Sequence, residues 1–216
     1  LTHVDESLLI HVNGALVLQV QNNYSFHIRI VNVMKTKKSL IFLFLLIFCS
    51  SAYANTKAID ALKEGGRLIF IRHANAPGGG DPNNFDIKDC STQRNLDTNG
   101  IEQAERIGQF FRDNKISIDA VFSSEWCRCK DTAKKAFENY KTYSALNSFF
   151  STKFAQNRDK QMKNLKSFVK SWKSKKNIVF VTHYVVISEA LNETVSSGAI
   201  IVADKNFKVI GIVKIN

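Results

Sequence analysis

The sequence predicts an α/β domain, a three-layer sandwich in which a mainly parallel sheet carries helices on both faces. Three observations predict it. The apolar runs at 67–72, 118–122 and 178–182 are short, and the first and last are nearly continuous, as in strands buried on both faces. Segments with apolar residues at helical spacing lie between them. No internal repeat and no linker interrupts the alternation, so strand and helix follow one another as in a crossover-connected sheet.

The elements follow in order. A lead helix covers 57–63, Gly65 and Gly66 break it, and 67–72 forms the first buried strand. Residues 76–95, rich in Gly, Pro, Asn and Asp, form a loop of the length that in compact domains is a functional lid or a linker. Thr98 caps a helix whose Ile101, Ala104, Ile107, Gly108 and Phe111 recur at helical spacing up to Asp113 and Asn114. A strand at 118–122, a helix at 126–140 and a candidate third strand at 143–146 come next. The 157–173 helix turns Met162, Leu165, Val169 and Trp172 inward. A buried strand at 178–182, a helix at 184–191 and a terminal hairpin at 198–215, turning at 204–206, complete the set.

The first 54 residues stand apart. Met34 to Lys38 supply a charged start, residues 40–48 an apolar run, and Ala52-Tyr53-Ala54 a small-residue cleavage pattern, the order of a secretory signal peptide. The run is shorter than the roughly 20 residues needed to cross a bilayer. Residues 34–54 are therefore expected to be a signal peptide cleaved near Ala54, residues 1–33 upstream translation outside the native fold, and 55–216 the domain, periplasmic or secreted. Its 162 residues suffice to bury roughly 68–70% of the unfolded surface without staples.

Composition excludes collagen-like, low-complexity and disulfide-dense classes: 216 residues hold 44% apolar side chains, two Pro and four Cys. Residues 55–216 carry 26 basic and 17 acidic side chains, a net charge of +9 that favours anionic partners. Three cysteines remain there, Cys90, Cys127 and Cys129, in a compartment that permits disulfides. Cys127 and Cys129 diverge on a helix, so Cys90 pairs with one of them. With no histidine near them, zinc is a poor match, and no metal is expected.

Chemistry concentrates at strand ends. Residues 55–216 contain two histidines, His73 and His183, each directly after a buried apolar strand. Arg72 adjoins the first, and Arg128 opens the helix after the 118–122 strand. At the carboxyl edge of one sheet, where ligands of such sheets bind, two guanidiniums offer forked donors to a phosphoryl group. A neutral imidazole then serves as nucleophile and forms a phosphoenzyme, with arginines in place of a metal or cofactor.

The ordered set Arg72-His73-Ala74, Arg94-Asn95-Leu96-Asp97-Thr98-Asn99-Gly100, Ser123-Ser124-Glu125-Trp126-Cys127-Arg128 with Asp131-Thr132-Ala133, and Val181-Thr182-His183 resembles the histidine phosphatase superfamily, which has the phosphoglycerate-mutase-like fold. The resemblance implies that His73 is phosphorylated, that Arg72 and Arg128 bind phosphate, that His183 hydrogen-bonds the phosphoryl group and that no metal takes part. The Cys127-Arg128-Cys129 triplet and Asp89-Cys90-Ser91-Thr92-Gln93-Arg94 further resemble a small secreted bacterial subgroup. With Cys129, Thr132 and Ala133 on one helix face, Cys127 is freer to meet a covering loop, which favours Cys90–Cys127 over Cys90–Cys129.

Two departures bear on mechanism. Ala74, Asn75 and Ala76 follow the nucleophile where many members carry Gly and then Ser or Thr, and Asn75 remains a candidate phosphate donor. The general acid is displaced as well: Tyr184 stands where one branch carries Asp, and 144–156 holds no carboxylate where the other carries Glu. Glu125, three residues before Arg128, is the first choice of acid by closeness to the expected pocket, with Asp81, Asp86 and Asp89 on the long loop behind it.

The expected activity is hydrolysis of a phosphomonoester or related phosphoryl compound, either a small substrate or a phosphorylated envelope glycolipid. The alternatives are a non-catalytic phosphate-binding module of the same fold and a phosphomutase. Nucleic acid is not an expected partner. Residues 153–176 hold eight Lys and Arg158 against Asp159, read as a solvated helix face or as a peripheral contact with anionic envelope.

Overall fold

The computed structural model describes residues 8–12, 15–19 and 56–215. The chain divides into two units, Leu1–Ser50 and Ser51–Asn216. In the first, β1 (Leu8–Val12) and β2 (Ala15–Gln19) pair antiparallel, in a stretch where the sequence reading assigned no element. The expected signal peptide at 34–54 lies outside the described residues.

In the second unit α1 (56–64) leads into β3 (Leu68–Arg72), followed by α2 (Thr98–Asp113), β4 (Ile118–Ser123) and α3 (Cys127–Phe137). Then come β5 (Lys141–Thr142), α4 (Thr152–Ala155), α5 (Arg158–Ser171), β6 (Asn177–Thr182), α6 (Tyr184–Leu191), β7 (Ile200–Ala203) and β8 (Val209–Val213). The six-stranded sheet runs β5-β4-β6-β3-β7-β8. Neighbours from β5 to β3 are parallel, and the terminal hairpin β7–β8 adds antiparallel on β3.

Alternation along the strands builds the layers. Ile69 and Ile71 of β3 and Val179 and Val181 of β6 point to one face, where Ile107 and Phe111 of α2 and Ala133 of α3 cover them. Leu68, Phe70, Ile178 and Phe180 point to the other and meet Leu165 and Val169 of α5 and Val186 and Ile187 of α6. Because both faces are covered, the strands read as unbroken apolar runs, and the three-layer expectation holds.

Several boundaries differ from the sequence reading. Asp97, not Thr98, caps α2: its extended backbone lets the carboxylate accept from the Gly100 N–H at 2.7 Å. Helix α3 stops at Phe137, because Glu138 turns to φ 63° and releases the chain to pair β5 beside β4. The 143–146 stretch is not a strand: Ser144–Leu146 is a single 3₁₀ turn that buries Ala145 and Leu146. A short apolar run cannot by itself distinguish these outcomes. Helix α5 ends before Trp172, whose indole N–H donates to Asp119 instead (3.0 Å).

The 76–95 loop is tied to the start of α3 by a Cys90–Cys127 disulfide, leaving Cys129 as a buried thiol. Gln93 adds a second tie, its side-chain oxygen accepting from the Cys127 N–H at 2.9 Å. Closing a loop across 37 positions lowers the entropy of the unfolded chain, worth about 4 kcal/mol at most. Cys90→Ser should therefore lower the urea midpoint and, because the freed unfolded chain expands, steepen the dependence on urea. An unchanged midpoint would show that Gln93 and the loop's own contacts suffice.

Candidate active site

The site sits where β3, β6 and β4 end level with one another. Arg72 is in register with Thr182, and Ser123 with Val181. The chain leaves these strands still hydrogen-bonded, His73 N–H to Thr182 O at 2.9 Å and Ser124 N–H to Val181 O at 2.9 Å. His73 and His183, one residue beyond the paired positions, therefore meet edge to face with ring centroids 5.6 Å apart. Both are 2% exposed. Parallel pairing alone brings together two histidines 110 positions apart in the chain.

His73 is set up as a nucleophile. Its Nδ1 lies 2.8 Å from the Ala74 carbonyl and must donate to it, which places the proton there and leaves Nε2 with a free lone pair. Burial, then the positive charge of Arg128, pushes the imidazole down to about 3, so it is neutral across the physiological range. Burial and Arg128 likewise hold His183 well below its ordinary value. The Nε2 edge of His183 is turned toward Ser124 Oγ (2.8 Å) and Cys129 Sγ (3.5 Å), so the Nδ1 edge is the one left for a ligand. Burial pushes the Cys129 thiol up to about 12, which removes it as a competing nucleophile.

Three guanidiniums line the same cleft of about 670 Å³. Arg72 donates to Val195 O at 2.7 Å and lies 5.4 Å from the Tyr184 ring centroid. Arg128, 3% exposed, clasps Asp81 through both terminal nitrogens, at 2.7 and 3.2 Å. Arg94, to which the sequence reading gave no part in binding phosphate, reaches the cleft from the long loop, held by the carbonyls of Gly80 and Ala76. The Nε atoms of Arg72 and Arg128 are buried without a hydrogen-bond partner. Unsatisfied buried donors on two arginines of one cleft point to an anion as the missing partner.

Two expected residues have their side chains engaged by other partners, although Asn75 itself lines the cleft. The Asn75 amide does not offer itself to phosphate: its Nδ2 donates to both carboxylate oxygens of Asp97, each at 3.2 Å, and its backbone N–H to Gln103. The α2 start is pressed against it, and a Cβ on Gly100 would lie 2.0 Å from the Asn75 carbonyl oxygen. Glu125 is not among the cleft-lining residues. Its carboxylate accepts from Asn147 Nδ2 at 2.6 Å, in a chain that continues through Ser124 to His183. Glu125 and Arg128 are three positions apart in the chain, yet of the two only Arg128 lines the cleft. Asp81 lies in the cleft instead. Partial burial would raise its carboxyl, but Arg128, Trp126 Nε1–H at 3.0 Å and the Arg94 N–H outweigh that and hold it below the usual carboxylate range.

Among the described residues no cluster of three or more His, Cys, Asp or Glu is placed to hold a metal ion. The mouth of the cleft carries Lys153 and Phe150, and Phe150 is a large apolar side chain left 60% exposed.

Comparison with known proteins bears on the fold. The model of the histidine phosphatase superfamily (branch 1) matches residues 68–147. A single-residue variant of TTHB049 from Thermus thermophilus superposes with a TM-score of 0.50 at 17% identity, covering 69% of this chain and 99% of that one. The protein histidine phosphatase SixA complexed with tungstate gives 0.47 at 15% identity over 66% of this chain and 92% of that one. A phosphoserine phosphatase mutant from Entamoeba histolytica, complexed with phosphoserine, gives 0.47 at 19% over 63% and 89%. No curated protein matches the sequence. The 56–215 domain thus has the histidine phosphatase (phosphoglycerate-mutase-like) fold, and its 68–147 segment carries the sequence pattern of that superfamily.

Proposed function

We propose that the protein is a metal-independent phosphatase that hydrolyses a phosphomonoester or related phosphoryl compound through phosphohistidine at His73. One observation carries the reading: a neutral imidazole with its free Nε2 lone pair lies in the same cleft as Arg72, Arg94 and Arg128. Nε2 attacks phosphorus, the P–O bond to the leaving alcohol breaks, and the guanidiniums hold the charge spread over the remaining oxygens. Water then attacks the phosphohistidine and releases inorganic phosphate, restoring the neutral imidazole. Arg72 and Arg128 bind the phosphoryl group, and His183 contributes its Nδ1 edge. Incubation with an aryl phosphate followed by acid-free quenching and intact mass measurement tests this. A gain of one phosphoryl group on His73 supports it, whereas bound phosphate with neither hydrolysis nor a mass gain would favour the non-catalytic phosphate-binding module.

The same reading extends to membership of the small secreted bacterial subgroup and to a location outside the cytoplasm. The 34–54 pattern and the disulfide support export, since such bonds persist in oxidising compartments. The substrate is then a small phosphorylated compound or a phosphorylated envelope glycolipid. Lys163, Lys166 and Lys170 form an exposed row along α5, and this supports a peripheral contact with an anionic envelope surface. Binding to phosphatidylglycerol vesicles should weaken steeply between low and physiological salt and be lost when all three are changed to Glu. Equal binding by that variant would return the row to a solvated face.

A further inference from the structure

We propose that Asp81 is the proton donor to the leaving oxygen, an inference that rests on the phosphatase reading above. An alkoxide is a poor leaving group, so phosphoryl transfer from an ordinary ester needs an acid at the departing oxygen. Asp81 is the one Asp or Glu among the described residues that line the cleft. Its carboxylate reaches the same Arg128 guanidinium that would hold the phosphoryl group. It is carried at the end of Gly78-Gly79-Gly80, where Gly78 (φ 92°) and Gly80 (φ 72°) adopt left-handed backbone. The Gly80 carbonyl accepts from Arg94 Nε–H at 2.9 Å and Asp81 Oδ1 from the Arg94 backbone N–H at 3.2 Å, which ties the carboxylate to a second arginine of the cleft.

The proton balance closes without an outside co-reactant. In the free enzyme Asp81 is ionised against Arg128. A substrate arriving as the monoanion brings one proton. As its phosphoryl oxygens take over Arg128, Asp81 loses its cationic partner and gains an anionic neighbour, so the proton passes to it. When Nε2 of His73 attacks and the P–O bond breaks, that proton goes to the departing oxygen and the alcohol leaves neutral. In the second step the Asp81 carboxylate takes a proton from the attacking water, whose hydroxyl joins phosphorus.

Asp81→Asn separates proton donation from the orienting of Arg128. The variant should hydrolyse an alkyl ester, β-glycerophosphate, about 10²–10⁴-fold more slowly. It should still form phospho-His73 from 2,4-dinitrophenyl phosphate at close to the wild-type rate, because that leaving group departs without a proton. Across a series of aryl phosphates the rate of phosphohistidine formation should be nearly flat with leaving-group pKa for wild type and steep for the variant. Vanadate should bind the variant at least as tightly as the wild type, confirming a folded pocket, and Asp81→Glu should recover part of the alkyl-ester rate. Parallel losses on both esters, loss of vanadate binding, or an unimpaired alkyl-ester rate would each overturn the assignment. A wild-type protein that forms no phosphohistidine from dinitrophenyl phosphate would instead bring down the phosphatase reading itself.

Discussion

His73→Ala abolishes phosphohistidine formation and lowers turnover of an aryl phosphate by about 10⁴-fold or more, the scale expected when the attacking atom is removed. The effect is large because the attacking atom itself is lost, and the thiol and hydroxyl that touch His183 cannot replace it. The buried Cys129 thiol is pushed up to about 12 and stays protonated, and Ser124 is committed to His183 and Asn147. The pH dependence follows from burial. With its value pushed down to about 3, the His73 imidazole stays neutral and nucleophilic as pH falls from 8 to 5, where an unperturbed histidine would have become protonated. The rate of phosphoenzyme formation should therefore show no loss near 6.5. The stability sign runs with it: between about 3 and 6.5 the unfolded chain binds more protons at this position than the folded one, so stability falls as pH drops through that window. Retention of the phosphoryl mass gain in His73→Ala would remove His73 from the centre of the mechanism.

Arg128→Ala should cost about 10³-fold in kcat/KM, as expected for loss of a buried donor aimed at developing negative charge. Arg128→Lys keeps a charge but not the planar fork, and should recover only part of the loss. The same substitution reaches Asp81. In the wild type the Asp81 carboxyl is held below its ordinary value, so the pair contributes stability that is present above about 4 and lost as pH falls through the folded value. The gap in unfolding free energy between wild type and Arg128→Ala should narrow as the medium is acidified. Activity within tenfold of wild type in Arg128→Ala would show that Arg72 and Arg94 hold the phosphoryl group without it.

The strands at the centre of the sheet were legible because they are covered on both faces. Residues 68–71 and 178–181 are fully or almost fully buried, so no polar residue interrupts their apolar runs. The edge was not legible: β5 has two residues, both exposed, and its place beside β4 follows from the turn after Glu138. In the cleft, Arg72, His73, Arg128 and His183 could be picked out because each follows a strand end closely, and parallel strands bring their ends together. Arg94 and Asp81 carried no such mark. They sit in a loop without periodicity, and tertiary contacts, among them the disulfide, the Gln93 tie, the Arg128 clasp and the Trp126 hydrogen bond, determine where they point.

By itself the amino-acid order determined the layered architecture, the pair of strand-end histidines and the cysteines able to bond, because these depend on periodicity and on neighbours a few residues away. The tertiary structure alone decided which carboxylate faces the anion site, which imidazole nitrogen is free and which polar groups are spent on one another. Those depend on contacts between segments tens of residues apart, where a hydrogen bond such as Asn75 to Asp97 or Asn147 to Glu125 takes a group out of the chemistry that its identity would allow.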